Sequence, residues 1–197
     1  MIRTLSTPPA MAPGCLAAAP QPVLPTTDGQ GLLLRPWERA DAAAFLSAYR
    51  DEETCRWHTH RPSTEAQVRE WFEAYRQDWE REKGCHWAVA REKGGEVLGR
   101  MALRGLDFDD GVANAAYWVL PAARGAGVAS SALAAVSAWA LDDIGFHRLE
   151  LDHSTRNHAS CRVATKAGYR MEGTKRNAAV HDDGRHDMHL HARVRGD

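Results

Sequence analysis

The sequence predicts one α/β (α+β) domain, a mixed sheet with helices packed on its faces. Three observations carry that prediction. Short apolar runs ending at Pro or Gly alternate with longer amphipathic ones. A strand, a helix and another strand follow one another from Val112 to Ser154, a unit that makes its two strands parallel. The chain has 197 residues, 44% of them hydrophobic, enough for one full-sized core.

Residues 31–197 are assigned to that domain. Residues 1–30 are rich in Pro and Ala and read as a disordered leader, with Met11 as an alternative start. Pro8, Pro9, Pro13 and Pro20 interrupt the unbroken apolar stretch a signal peptide needs.

"GLLLRPW" from Gly31 is the first strand, stopped by proline, and Asp41 precedes the helix "AAAFLSAYR". Ser63 and Thr64 open a longer helix whose Val68, Trp71, Phe72, Tyr75 and Trp79 form one stripe, closed by Gly84. The stripe reads first as core, and second as a wall of an acceptor pocket together with Trp57. Cys85–Glu92 and Val97–Asp107, separated by "KGGE", predict an antiparallel hairpin. Val112–Leu120 is the next strand. The helix after it buries Val128, Ala132, Leu133, Val136, Ala140 and Ile144 and ends at Gly145. His147–Ser154 is a strand, Asn157 caps a short helix with Gly168 beyond its end, and two strands joined by "HDDG" finish the chain.

A formal net charge of −1 excludes the electrostatic signature of nucleic-acid or anionic-membrane binding. There is no apolar run of the ~18 residues that a membrane span requires. Cys15, Cys55, Cys85 and Cys161 show no paired spacing, which points to reduced thiols and a cytoplasmic protein.

The helix that begins at "RGAGVASS" (Arg124–Ser131) lacks a Ser, Thr, Asp or Asn cap. Gly125 and Gly127 let a ligand approach the main chain. The first amides of the helix are unpaired at the positive end of its dipole, and Arg124 adds a charge. Such a loop suits phosphate. It is neither a dinucleotide fingerprint, since the third glycine is missing, nor a Walker A loop, since no Gly-Lys-Ser/Thr closes it.

Arg124-Gly125-Ala126-Gly127-Val128-Ala129 resembles the pyrophosphate loop of the GNAT superfamily of acetyl-CoA-dependent N-acetyltransferases. Asn157-His158-Ala159-Ser160 followed by "CRVATKAGY" resembles the signature of its RimJ/RimL-like branch, as do "MEGTKR" and "DGRHDMHLHARV". The resemblance covers about residues 31–194. It implies a GNAT-like, mostly antiparallel sheet whose two central parallel strands splay to admit acetyl-CoA.

On that resemblance, backbone groups of Trp118, Val119 and Leu120 hold the pantetheine arm. Residues 124–129 hold the pyrophosphate, Asn157 the inner end of the arm, and the Val119 N–H the oxyanion. Ser160 is the expected acid toward the departing sulfur, against a serine that only bonds backbone; the tyrosine many relatives place seven residues past the asparagine is Ala164 here. The base is open between Glu150, Tyr117 and a water chain.

The function implied is acetyl transfer to a primary amine, a protein N-terminus or a small molecule; the alternative is a non-catalytic acyl-CoA-binding sensor or scaffold. The resemblance allows a homodimer. Asp107, Asp109 and Asp110 read first as a solvated turn, and second as a lure for a cationic amine. No metal is expected, although His58/His60 and His189/His191, with His186 nearby, are spaced to share a face.

Overall fold

The computed structural model describes residues 8–197, and its strands form one eight-stranded sheet in the order β1-β2-β3-β4-β5-β6-β8-β7. In chain order the elements are β1 Leu24–Pro25, β2 Leu32–Pro36, α1 Ala42–Ala48, α2 Glu52–Trp57, α3 Glu65–Glu80, β3 Gly84–Arg91, β4 Val97–Asp107 and β5 Val112–Val119. They continue with α4 Val128–Ala138 and its π-helical extension Trp139–Ile144, β6 Arg148–Ser154, α5 His158–Lys166, β7 Arg170–His181 and β8 Gly184–Val194. Every neighbouring pair is antiparallel except β5 and β6.

That exception matters most. β5 and β6 pair only at Val112↔Arg148, Ala113↔Leu149 and Asn114↔Glu150. Beyond Asn114 the two strands run on to Val119 and Ser154 without a shared ladder, so the sheet opens into a V. The mostly antiparallel sheet with two splayed parallel central strands is the architecture the family resemblance implies.

Two apolar layers cover the sheet. Val128, Ala132, Leu133, Val136 and Ala140 of the α4 segment are buried in the larger core, with Ile144 packed at its edge. On the other face Phe45, Val68 and Phe72 gather around Trp118, whose ring lies 5.3 Å from Phe45. The α3 stripe divides its labour. Val68, Phe72 and Trp79 are core, whereas half-buried Trp71 and Tyr75 line a cavity. Thr64 caps α3 by accepting the Gln67 N–H at 3.2 Å. Two local expectations are corrected: α3 ends at Glu80, with Gly84 already in β3, and the polar stretch after α1 holds the extra helix α2, capped by Asp51.

The expected disordered leader is corrected for its described part; residues 1–7 lie outside the described residues. Leu16 is 1% exposed and Leu24 pairs with Leu34. Leader carbonyls satisfy two buried indoles, Trp79 Nε1 donating to Ala19 O and Trp87 Nε1 to Pro22 O, each at 2.9 Å. The Leu16 amide donates to Glu82 at 2.7 Å. Composition marked the segment as unable to build its own core. It borrows one, because two core tryptophans need acceptors.

All four cysteines are free thiols. Among the described residues no helix is long and apolar enough to cross a membrane.

Candidate active site

The loop between β5 and α4 makes the first half of the site. Gly125 and Gly127 have φ of +79° and +83°, the left-handed region that glycine enters without strain. That conformation points successive amides outward. Among the described residues, no acceptor meets the N–H groups of Gly125 through Ser130, and the first helical bond is Ser131 N–H to Gly127 O at 3.0 Å. Six unpaired amides at a helix N-terminus form an anion cradle. They open into a cavity of about 400 Å³ that also touches Tyr117, Val119, Asn157 and Ser160.

Arg124 does not add a free charge to the cradle, which corrects the expectation. Its guanidinium pairs with Asp51, donates to Thr54 Oγ1 at 3.0 Å and sends Nε to Val119 O at 3.3 Å. The pairing holds the Asp51 carboxyl below its ordinary range. Arg124 therefore clips the loop to the N-terminus of α2, and the cradle's own field comes from its amides. The side chains that add positive charge to this cavity are Arg162 and Lys166, four apart on α5. That spacing is visible in the sequence.

Of the three residues expected to hold the pantetheine arm by their backbone, only Val119 has its amide free for it. The Leu120 N–H donates to Leu98 O at 2.8 Å and its carbonyl accepts from Ala123 at 2.9 Å. Alternation along the antiparallel ladder turns the Trp118 main chain to β4 as well, opposite Arg100. The Val119 amide faces the other edge, where β6 has left the ladder. Trp118 contributes its buried side chain to the cavity wall instead.

The second half of the site comes from α5. Asn157 Oδ1 accepts the Ser160 N–H at 3.0 Å, the expected N-cap. The Ser160 hydroxyl has no hydrogen bond among the described residues, whereas Ser130, Ser131 and Ser137 all return theirs to helix carbonyls. The Ser160 hydroxyl is thus not spent on the helix backbone. The Tyr117 hydroxyl, across the gap, is buried without a full hydrogen bond. Burial pushes the phenol up to about 12, a rise that the adjacent Ser160 partly offsets.

A second cavity, of about 430 Å³, lies on the α1–α3 face of the V. Tyr49, Trp71, Tyr75, Arg100 and Arg104 line it, and it shares Trp57, His58, Tyr117, Asn157 and Ser160 with the first. Two cavities on opposite faces of the sheet thus meet at one wall. Arg100 is 7% exposed, places Nη2 3.0 Å from His86 Nδ1 and leaves Nε without a partner. His58, half-buried at the junction, is pushed down to about 4 by burial and by Arg100 and Arg104, and so is neutral at pH 7.

Glu150 is not brought into the site. It sits at the last paired position of β6, opposite Asn114, and accepts from Arg148 at 2.8 Å; Arg148 also pairs with Glu172. Strand alternation had marked its face as distinct from that of Leu149 and Leu151, and Arg148 occupies that face. Asp107 caps the turn at Asp109 and Asp110, accepting both amides at 3.0 Å, so the acidic loop is a turn. His186 bonds Ser154 Oγ at 2.8 Å and stands apart from His189 and His191.

Comparison with known proteins bears on the fold and the family. The model of the acetyltransferase (GNAT) domain matches residues 31–170. An uncharacterised N-acetyltransferase, YoaA of Bacillus subtilis, is 21% identical over 174 residues, 88% of this chain and 98% of that one. Mycobacterium smegmatis RimJ in complex with a coenzyme A disulfide superposes with a TM-score of 0.77 at 21% identity, covering 88% of this chain and 86% of that one. A RimL ribosomal-protein acetyltransferase in complex with coenzyme A superposes with a TM-score of 0.79 at 17% identity, covering 88% and 98%. These likenesses at low identity establish the shared fold. With the family model spanning most of the domain, they identify this chain as a member of the GNAT family of acetyltransferases.

Proposed function

We propose that the protein transfers acetyl from acetyl-CoA directly to a primary amine whose scaffold also carries an anionic group, either a peptide N-terminus or a small molecule. One observation carries the reading. The cradle-side cavity and the arginine-lined cavity meet at Tyr117, Asn157 and Ser160, so two ligands entering from opposite faces touch there.

In this reading the diphosphate takes the Gly125–Ser130 amides, each charge-assisted bond contributing roughly 1.5–3 kcal/mol. Arg162 and Lys166 face the remaining phosphate. The Val119 N–H donates to the thioester carbonyl and stabilises the oxyanion as the amine attacks. Ser160, with Tyr117 beside it, delivers a proton to the departing sulfur.

Arg100 and Arg104 shape the acceptor side. The one carboxylate lining that cavity among the described residues, Asp152, is already paired with Lys175 at 2.9 Å. Two guanidiniums without carboxylate partners lower the pKa of an ammonium bound nearby, which frees the neutral nucleophile. They also call for an anion on the acceptor. His58, neutral and lining both cavities, orients the water through which the amine's proton leaves, in place of Glu150.

A thiol-release assay with acetyl-CoA tests this against amino acids, acidic and basic N-terminal peptides, and amino-sugars with and without phosphate. Turnover with the anionic amines, lost in Ser160→Ala with coenzyme A affinity retained, is the expected result. Indifference of turnover to Ser160→Ala would remove the assignment, and absence of turnover with every amine would favour a coenzyme A-binding scaffold.

A further inference from the structure

The strongest unexplained feature beside the acetyl-transfer path is a knot of four side chains behind α5, of which His153 also lines the arginine-lined cavity. His153 on β6, Cys161 on α5 and His189 and His191 on β8 bring one ligand atom each within 4.8 Å of one another. The register explains the gathering: His189 lies directly opposite His153, and His191 lies opposite Leu151, two positions along the same face. Cys161 descends from the second turn of α5 to 3.7 Å from His191 Nε2.

We propose that these four residues form a zinc site, His153, Cys161, His189 and His191, closing around one borderline-soft divalent ion. With Zn–S near 2.3 Å and Zn–N near 2.0–2.1 Å, a tetrahedral shell has S···N edges of about 3.6 Å and N···N edges of about 3.3 Å. The Cys161–His191 edge is already there. The widest separation, within 4.8 Å, exceeds these edges by about 1.5 Å at most, a gap that side-chain rotation closes.

Two independent observations point to a ligand. His153 is 6% exposed and its Nε2 has no partner, while its Nδ1 sits 2.8 Å from Ser154 O. A ring that donates one N–H to a backbone carbonyl and turns a bare nitrogen inward is set as a metal ligand. The Nδ1 atoms of His189 and His191 are likewise buried and unpartnered. Three imidazoles and a thiol packed with so few hydrogen bonds are costly in an otherwise apolar layer, a cost that coordination would offset.

Binding of the ion displaces the Cys161 proton to solvent and forms a thiolate–metal bond, with no change of oxidation state. Four protein ligands leave no open position, which marks the site as structural. Its place in the fold gives it a task. It fixes α5, whose first turn carries Asn157 and Ser160, to β6 and β8.

Cobalt(II) reports the site without any activity measurement. The full chain, freed of metal by a chelator and dialysed, is titrated with Co²⁺. The expected result is saturation at one equivalent with intense tetrahedral ligand-field bands and a thiolate-to-cobalt charge-transfer band, all bleached by Zn²⁺. Cys161→Ser should abolish the charge-transfer band. His189→Gln should weaken binding by at least the 10–100-fold typical of losing an outer-shell partner. His60→Gln, outside the cluster, should change nothing. Circular dichroism confirms that each variant is folded; should Cys161→Ser fail to fold, His189→Gln supplies the same reading. A folded parent protein with no tetrahedral spectrum at one equivalent, or one whose spectrum survives both substitutions, overturns the assignment.

Discussion

Replacing Gly127 by alanine probes the cradle where its geometry is most demanding. Gly127 sits at φ +83°, where an alanine costs about 1–2 kcal/mol. The new Cβ would lie 2.8 Å from Gln30 Nε2, the end of a flexible side chain that can swing aside. Strain therefore dominates over collision. At roughly 2–4 °C per kcal/mol for a chain of this size, Tm should fall by about 2–8 °C. If the loop relieves the strain by rotating toward negative φ, the adjoining amides leave the phosphate. Each charge-assisted bond lost is worth roughly 1.5–3 kcal/mol, a weakening of about 10- to 150-fold. Titration calorimetry with coenzyme A and with pantetheine, which has the arm but no diphosphate, separates the effects. Coenzyme A affinity should drop at least about tenfold while pantetheine binding stays the same. A folded variant that keeps its coenzyme A affinity, or that loses both ligands equally, refutes the reasoning.

Other expectations follow from single contacts. Tyr117→Phe removes a buried hydroxyl with no full hydrogen bond, so Tm should hold or rise, since an unsatisfied buried group costs about 1–3 kcal/mol. kcat should nevertheless fall, and a variant with lower Tm and normal kcat would make Tyr117 merely structural. Gly99→Ala would drive a Cβ to 2.6 Å from Trp118 O and 3.3 Å from Val119 Cα, backbone atoms that cannot swing away. A loss of about 1–3 kcal/mol in urea unfolding is expected, and an unchanged midpoint would contradict it.

Stability should also fall with acid. His86 is 5% exposed, stacked on Tyr75 at 3.8 Å and 3.4 Å from Asp78; burial with Arg100 and Arg104 pushes it down to about 2. The unfolded histidine titrates near 6.5, so the unfolded chain takes up the proton first. The stability is thus complete above about pH 6.5 and is lost as pH falls, with a slope approaching about 1.4 kcal/mol per unit for this histidine. Urea melts from pH 7.5 to 5 check the slope, which His86→Gln should reduce; a flat profile refutes the burial argument.

What was legible in the sequence was local. Thr64 and Asn157 announce their helices by their own caps, and Gly125 and Gly127 announce a loop that needs positive φ. The α4 stripe declares its buried face through spacing alone. What was not legible depends on partners distant in the chain. Arg124 is claimed by Asp51, 73 residues away, and Glu150 by an arginine whose facing only the sheet defines. The leader is held by indoles 60 and 65 residues away. The histidine pair at 189 and 191 was visible. Its completion by His153 and Cys161 required the β6–β8 register and the docking of α5.

The central claim is that a diphosphate on the Gly125–Ser130 amides aims a thioester at the junction of two cavities. A crystal structure with acetyl-CoA tests it most directly. The account predicts the diphosphate on those amides, the thioester carbonyl within hydrogen-bond reach of the Val119 N–H, and the sulfur beside Ser160 and Tyr117. A cofactor bound elsewhere, or one whose carbonyl turns from Val119 and whose sulfur lies remote from Ser160, would contradict it.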